Sequence, residues 1–168
     1  MNAEQSYTLS DQDISDFLEQ FDITSQMIPY NQLKNYKKLD EIFQETNNII
    51  LHYPFEGDPQ FGHWAVIIRK SPSHIYYFDS YGKPIDEYFI NKPYFSKIAL
   101  KWLEDPKNTL EYNHTRFQSN GDDINTCGRW AIAAILFSPL TLKQFTYLFL
   151  GNKKYSSDDI VTFLTQTI

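Results

Sequence analysis

The chain has 168 residues, 42% of them hydrophobic and 17% aromatic, which is enough for one domain with a real core and too apolar for a disordered chain. Its formal charge of −6, with the basic residues scattered, argues against nucleic acid as the main partner. With a single Cys there is no internal disulfide. The polar start Met1–Ser10 is not a signal peptide, and no apolar run is long enough to span a membrane, so the expectation is a soluble intracellular protein.

Residues 1–8 read as a loose tail. Ser10 is placed to cap a helix over roughly 11–20, with Ile14, Phe17, Leu18 and Phe21 at i, i+3, i+4 and i+7. Ile28-Pro29-Tyr30 breaks that pattern, and Leu33, Tyr36, Leu39 and Ile42/Phe43 suggest a second helical stretch. Asn48–Tyr53 reads as a strand ending at Pro54, followed by a loop, 55–62, that carries Gly57, Pro59 and Gly62. His63–Arg69 and Ile75–Asp79 pair as an antiparallel hairpin around a Ser-Pro turn. Ser80–Pro84 is a turn, and Ile85–Leu103 is partly helical, interrupted at Pro93. Thr109–Tyr112 and Arg116–Gln118 are short strand candidates around a turn. Asn113-His114-Thr115 between them matches a glycosylation sequon, read as chance in a chain without a secretion signal. Thr126–Phe137 is a helix with Ile132, Ile135 and Leu136 spaced for burial. Leu140–Leu150 is another helix, ending at Gly151. Ser157 caps a last one bearing Ile160, Phe163 and Leu164. The layout is α+β, with helices flanking a small central mixed or antiparallel sheet. We read one domain over 1–168, with a helical N-terminal region over 1–59, a central core over 60–137 and C-terminal helices over 138–168.

The chemistry centres on Cys127 at the entrance to a helix. A thiol reacts as its thiolate, and the unpaired N–H groups of a helix N-terminus favour an anion. Gly128 next to it leaves room for a substrate carbonyl. Taken alone, a buried structural cysteine accounts for Cys127 equally well. His63, following Gly62 beside a loop-rich segment, is the candidate base, although by itself it reads as a structural histidine. His52 sits in a strand without a neighbouring signal, and His74 and His114 fall in turns. Asp79 ends the strand that pairs with that of His63, where a carboxylate could orient the imidazole. Gln118 lies shortly before Cys127, and its amide could donate to an oxyanion beside the Cys127 N–H. The lone cysteine cannot build a structural zinc site and the histidines are not at ligand spacing, so no metal or other cofactor is expected.

The order His63-Trp64, Asp79-Ser80, Gln118, Cys127-Gly128 resembles the adenovirus-protease and Ulp1-type cysteine peptidases, in which the chain order is His, acid, Gln, Cys. The match covers about residues 60–137. The resemblance implies the α+β adenain/Ulp1-like fold, with Cys127 as nucleophile, His63 as general base, Asp79 orienting it and Gln118 in the oxyanion hole. It places Trp64 and Gly128 at the substrate, with Trp64 walling a narrow tunnel for a Gly-containing tail; ordinary core packing is the other reading of Trp64. It further implies hydrolysis of peptide or isopeptide bonds after such tails, without a cofactor. The protein substrate would be ubiquitin or a ubiquitin-like modifier, as for a deubiquitinase, or a viral polyprotein. The setting would be the cytoplasm or nucleus of a host cell, or a virion. The compact size looks like viral or mobile-element members. Two other readings remain. One is an acetyltransferase of related fold, which would need a basic surface for coenzyme A that this acidic chain does not display. The other is a non-catalytic module that binds ubiquitin-like proteins, against which four chemically competent residues stand.

Overall fold

The apolar runs in 49–53, 65–68 and 75–78 do not alternate with polar residues, which is the pattern of strands buried on both faces. The computed structural model describes residues 3–89 and 105–166. In it these runs form the middle of a five-stranded mixed sheet of order β1-β2-β3-β4-β5. The strands are β1 Gln26–Pro29, β2 Asn48–Phe55, β3 Asp58–Ser71, β4 His74–Asp79 and β5 Thr109–Tyr112. The central pairs are antiparallel, while β1 joins β2 and β5 joins β4 in parallel. The helices are α1 Ala3–Ser6, α2 Asp11–Glu19, α3 Leu39–Ile42, α4 Cys127–Leu136, α5 Leu142–Leu150 and α6 Ser157–Leu164. The protein is therefore α+β, with helices flanking the sheet.

Alternate residues of the central strands supply two cores. Ile50, Val66, Ile68, Tyr76 and Phe78 pack on one face with α2, α4, α5 and α6. Ile49, Leu51, Ala65, Ile67 and Tyr77 pack on the other with Leu33, Leu39 and Ile42. Every residue of α4 from Cys127 to Ile135 is buried, as a helix that is apolar nearly all round requires. Each large apolar side chain buried there stabilises the fold by about 1.5–3 kcal/mol, so the helix that carries Cys127 is firmly held.

Several elements differ from expectation. The first residues are docked rather than loose: in α1 the Gln5 amide donates to Asp159 at 2.8 Å and the Gln5 carbonyl accepts the Asn125 N–H at 2.8 Å. Polar contacts of this kind leave no hydrophobic trace in the sequence. The first 59 residues carry β1 and β2 as well as helices. The stretch 30–43 splits into a 3-10 turn, Tyr30–Asn35, and α3, because Tyr36 and Lys38 adopt extended backbone. β3 begins at Asp58, so Gly62 and His63 lie inside a strand and not at its start. Arg116–Gln118 is not a strand; the Ser80 carbonyl instead accepts the N–H groups of Phe117 and Gln118 at 2.8 and 3.0 Å. Phe21 lies beyond the end of α2 and is exposed. The last helix is capped by Ser156 rather than Ser157. Its inner face carries Asp158, Val161 and Thr162, leaving Phe163 exposed. Gly151 closes α5 in right-handed geometry, with φ −76°. Most of the partial helix expected over 85–103 falls outside the described residues.

Candidate active site

Two strands and the start of one helix converge on a cleft of about 770 Å³ that His63, Gln118 and Cys127 all line. β3 and β4 form a tight hairpin whose register sets Ala65 opposite Asp79. His63, two residues along β3 on the same face, therefore extends past the end of β4 and meets the Asp79 side chain. His63 Nε2 lies 2.8 Å from Asp79 Oδ2, and both residues are buried.

Asp79 is fixed from every side. Its Oδ1 accepts the Tyr81 and Lys83 N–H groups at 2.8 and 3.3 Å. The Tyr88 hydroxyl donates to Oδ2 at 3.0 Å. Asn113 clamps the main chain: its Oδ1 accepts the Asp79 N–H at 3.0 Å and its Nδ2 donates to the Asp79 carbonyl at 2.6 Å. Asn113 is itself buried, which removes the sequon from the surface.

Cys127 is the first residue of α4 and shares the cleft with His63, near enough to favour the charged ring. Burial works against a charged His63 ring. The hydrogen bond to Asp79 and the interaction with Cys127 outweigh it and raise the imidazole to about 9. Tyr81 stacks on the ring with centroids 5.2 Å apart. The side chain of Thr126, just before Cys127, does not cap the helix, so it does not occupy the first-turn N–H groups that a helix leaves unpaired. Gln118 is held through both ends of its amide. Oε1 accepts the Ser80 hydroxyl at 2.8 Å, and Nε2 donates to the Ile124 carbonyl at 3.1 Å. An amide nitrogen carries two hydrogens, so one donor remains.

The structure thus brings His63, Asp79, Gln118 and Cys127 together. It does not bring Trp64 or Gly128 into the same cleft. Trp64 is buried, packs its ring tilted against His52 with centroids 4.2 Å apart, and donates its indole N–H to the Leu9 carbonyl at 3.2 Å. It lines a neighbouring cavity of about 590 Å³ that shares Thr8, Phe61 and Gly62 with the first. A Cβ on Gly128 would lie 3.0 Å from the Leu9 Cβ and 3.3 Å from Ile14 and Trp64. Its missing side chain therefore lets α4 pack closely against Leu9, Ile14 and Trp64. His52, His74 and His114 do not line the cleft. Among the described residues the cleft wall includes Glu56 and Asp58 and no Lys or Arg. Among the described residues no group of three His, Cys, Asp or Glu could hold a metal, and no helix is long and apolar enough to cross a membrane. Sequence reasoning missed Tyr88 and Asn113. Both reach Asp79 only through tertiary folding, and no local pattern marks them.

No family model matches the sequence. The chain is 28% identical over 162 residues to the uncharacterized protein V9 of the Sputnik virophage, covering 89% of this chain and 91% of that one. Among solved structures it is similar to the ASFV pS273R protease, with TM-score 0.52 and 11% identity over 98% of this chain and 68% of that one. A selenomethionine form of that protease gives 0.53 and 14%, over 98% and 69%. The two proteins share a fold. The C-terminal Ulp1 protease domain, solved with the yeast SUMO ortholog Smt3, aligns at TM-score 0.42 with 14% identity over 97% and 78%, a likeness too slight to bear on substrate.

Proposed function

We propose that the chain is a cysteine peptidase that cleaves a viral structural polyprotein after Gly-containing sequences. The observation that carries this reading is His63 held by Asp79 Oδ2 at 2.8 Å from one ring nitrogen, in the cleft that Cys127 and Gln118 also line. A structural cysteine needs none of these partners. The shared fold with the ASFV protease supports the chemistry, and the virophage relative favours a viral substrate over a modifier of the ubiquitin type.

In this mechanism the Cys127 Sγ attacks the substrate carbonyl carbon, forming a C–S bond while the carbonyl oxygen becomes an oxyanion. The Cys127 N–H and the free Gln118 amide hydrogen receive that oxyanion. His63, which holds its proton to about 9, donates it to the leaving amine as the C–N bond breaks. It then takes a proton from water, which attacks the thioester and frees Cys127. Asp79 keeps the ring turned and offsets its charge throughout.

The test is cleavage of fluorogenic peptides carrying Gly-X-Gly, with Cys127→Ala as control. The wild type cuts them, and the folded variant loses on the order of 10⁶-fold in kcat, as other nucleophile deletions do. Full activity of Cys127→Ala ends the reading. Labelling of Cys127 by ubiquitin or ubiquitin-like C-terminal probes, with no peptide cleavage, moves the substrate to that class.

A further inference from the structure

The helix α6 lies outside the segment on which the family resemblance rests, yet one of its residues sits behind the active site. Asp158 is 1% exposed, and no described Lys or Arg forms an ion pair with it. An acid buried in that way is rare unless its oxygens are put to use. Oδ1 accepts the Thr126 hydroxyl at 2.6 Å and the Trp130 indole N–H at 3.1 Å. Oδ2 accepts the Ser119 main-chain N–H at 2.9 Å. The neighbouring Ser157 hydroxyl donates to the Phe117 carbonyl. Thr126 immediately precedes Cys127, and Ser119 immediately follows Gln118.

We propose that Asp158 is the positioning residue of the oxyanion hole, bracing the two chain segments whose donors must face a single oxygen atom. This rests on the peptidase reading above. The donors are the Cys127 N–H, on a rigid helix, and the Gln118 amide, on a loop with no strand or helix of its own. Between them runs the polar stretch 119–126, tied within itself by the Gly121 carbonyl accepting the Ile124 N–H at 3.1 Å and held at Asn125 by Gln5 and Ser6. A carboxyl group has one oxygen for each segment. Asparagine does not: its single oxygen can keep Thr126 and Trp130, but its NH₂ would face the Ser119 N–H, donor against donor. The contact between His63 and Asp79 does not pass through Asp158, so the brace acts on the oxyanion and not on the thiol.

That division sets the experiment. Alkylation of Cys127 by iodoacetamide is a displacement at a saturated carbon and forms no oxyanion, whereas hydrolysis of a peptide or thioester does. Both rates are measured for wild type, Asp158→Asn and Thr126→Val, with thermal melts to confirm that each variant is folded. A loosened donor lowers kcat about tenfold to hundredfold, with KM and the alkylation rate unchanged within about twofold, the pattern expected of an interaction made in the transition state. Should Asp158→Asn fail to fold, Thr126→Val removes one arm of the brace at nearly constant volume and decides the matter. Unchanged kcat in the folded variants overturns the proposal, and so does alkylation that falls as far as kcat. A wild type that is alkylated at Cys127 yet hydrolyses nothing fails at the peptidase reading, and the brace falls with it.

Discussion

His63 titrates as a member of a cluster, and each partner leaves a separable mark. Burial alone would push the ring below the ordinary histidine range, so its rise to about 9 depends on Asp79 and Cys127. In Cys127→Ala the burial and the Asp79 contact remain while the influence of the sulfur is gone. The midpoint of His63, followed by the NMR shift of its ring protons, therefore drops below about 9 in that variant. A midpoint that stays put would mean that Asp79 alone sets it. Gly62, the residue before His63, is a second test at this scale. A Cβ there would overlap the Tyr53 carbonyl and the His52 ring, so β2 and β3 can keep their pairing only if the residue has no side chain. Gly62→Ala costs about 1–3 kcal/mol by overpacking and displaces His63, lowering kcat. Urea unfolding and peptide turnover measure the two losses, and a variant as stable and active as wild type contradicts the packing.

Among the elements, α6 has the most to lose at its N-terminus. Ser156 and Asp159 form a reciprocal capping box, with the Ser156 hydroxyl accepting the Asp159 N–H at 3.0 Å and the Asp159 carboxylate accepting the Ser156 N–H at 2.9 Å. Ser156→Ala removes one arm and costs about 1 kcal/mol. Because the same turn holds Asp158, kcat falls along with stability. Thr141→Ala breaks the matching box of α5 at a similar cost in urea unfolding and leaves kcat intact; equal kcat losses in the two variants would deny α6 its special place. That role was not legible in the sequence, where Asp158 is one of two acids in a first turn. The strands β2, β3 and β4 were legible, because their Ile, Val and Tyr runs must be buried on both faces. So was the hairpin, whose register brings Asp79 within reach of His63. β1 was not, since Gln-Met-Ile-Pro has no periodicity and pairs in parallel with β2, the next strand, across the intervening helical segment. β5 also pairs in parallel, a choice made by tertiary packing. Trp64 and Gly128 were placed at the substrate by resemblance; in the structure both pack against Leu9, and Trp64 lines the cavity next to the one that holds Cys127.

For the whole molecule the buried pair makes stability depend on pH in a defined direction. The folded protein holds the His63 proton to about 9, whereas an unfolded histidine releases it near 6.5. The folded state binds more protons between those values, so stability falls as pH rises through that window. The contribution is fully present below about 6.5 and is lost as pH passes about 9, where the buried Asp79 carboxylate is left facing a neutral ring. With a formal charge of −6 on the chain, loss of an internal cation also adds to self-repulsion. The melting temperature therefore declines from pH 7 to pH 10, by an amount on the order of a few kcal/mol of stability. In Cys127→Ala the decline begins at the same pH, near 6.5, but ends at lower pH and is smaller in total, because that variant holds the His63 proton less tightly. Melts of the two proteins across this range check both statements: parallel curves would show that the sulfur has no role in holding the proton, and with it would go the acid–base role assigned to the pair.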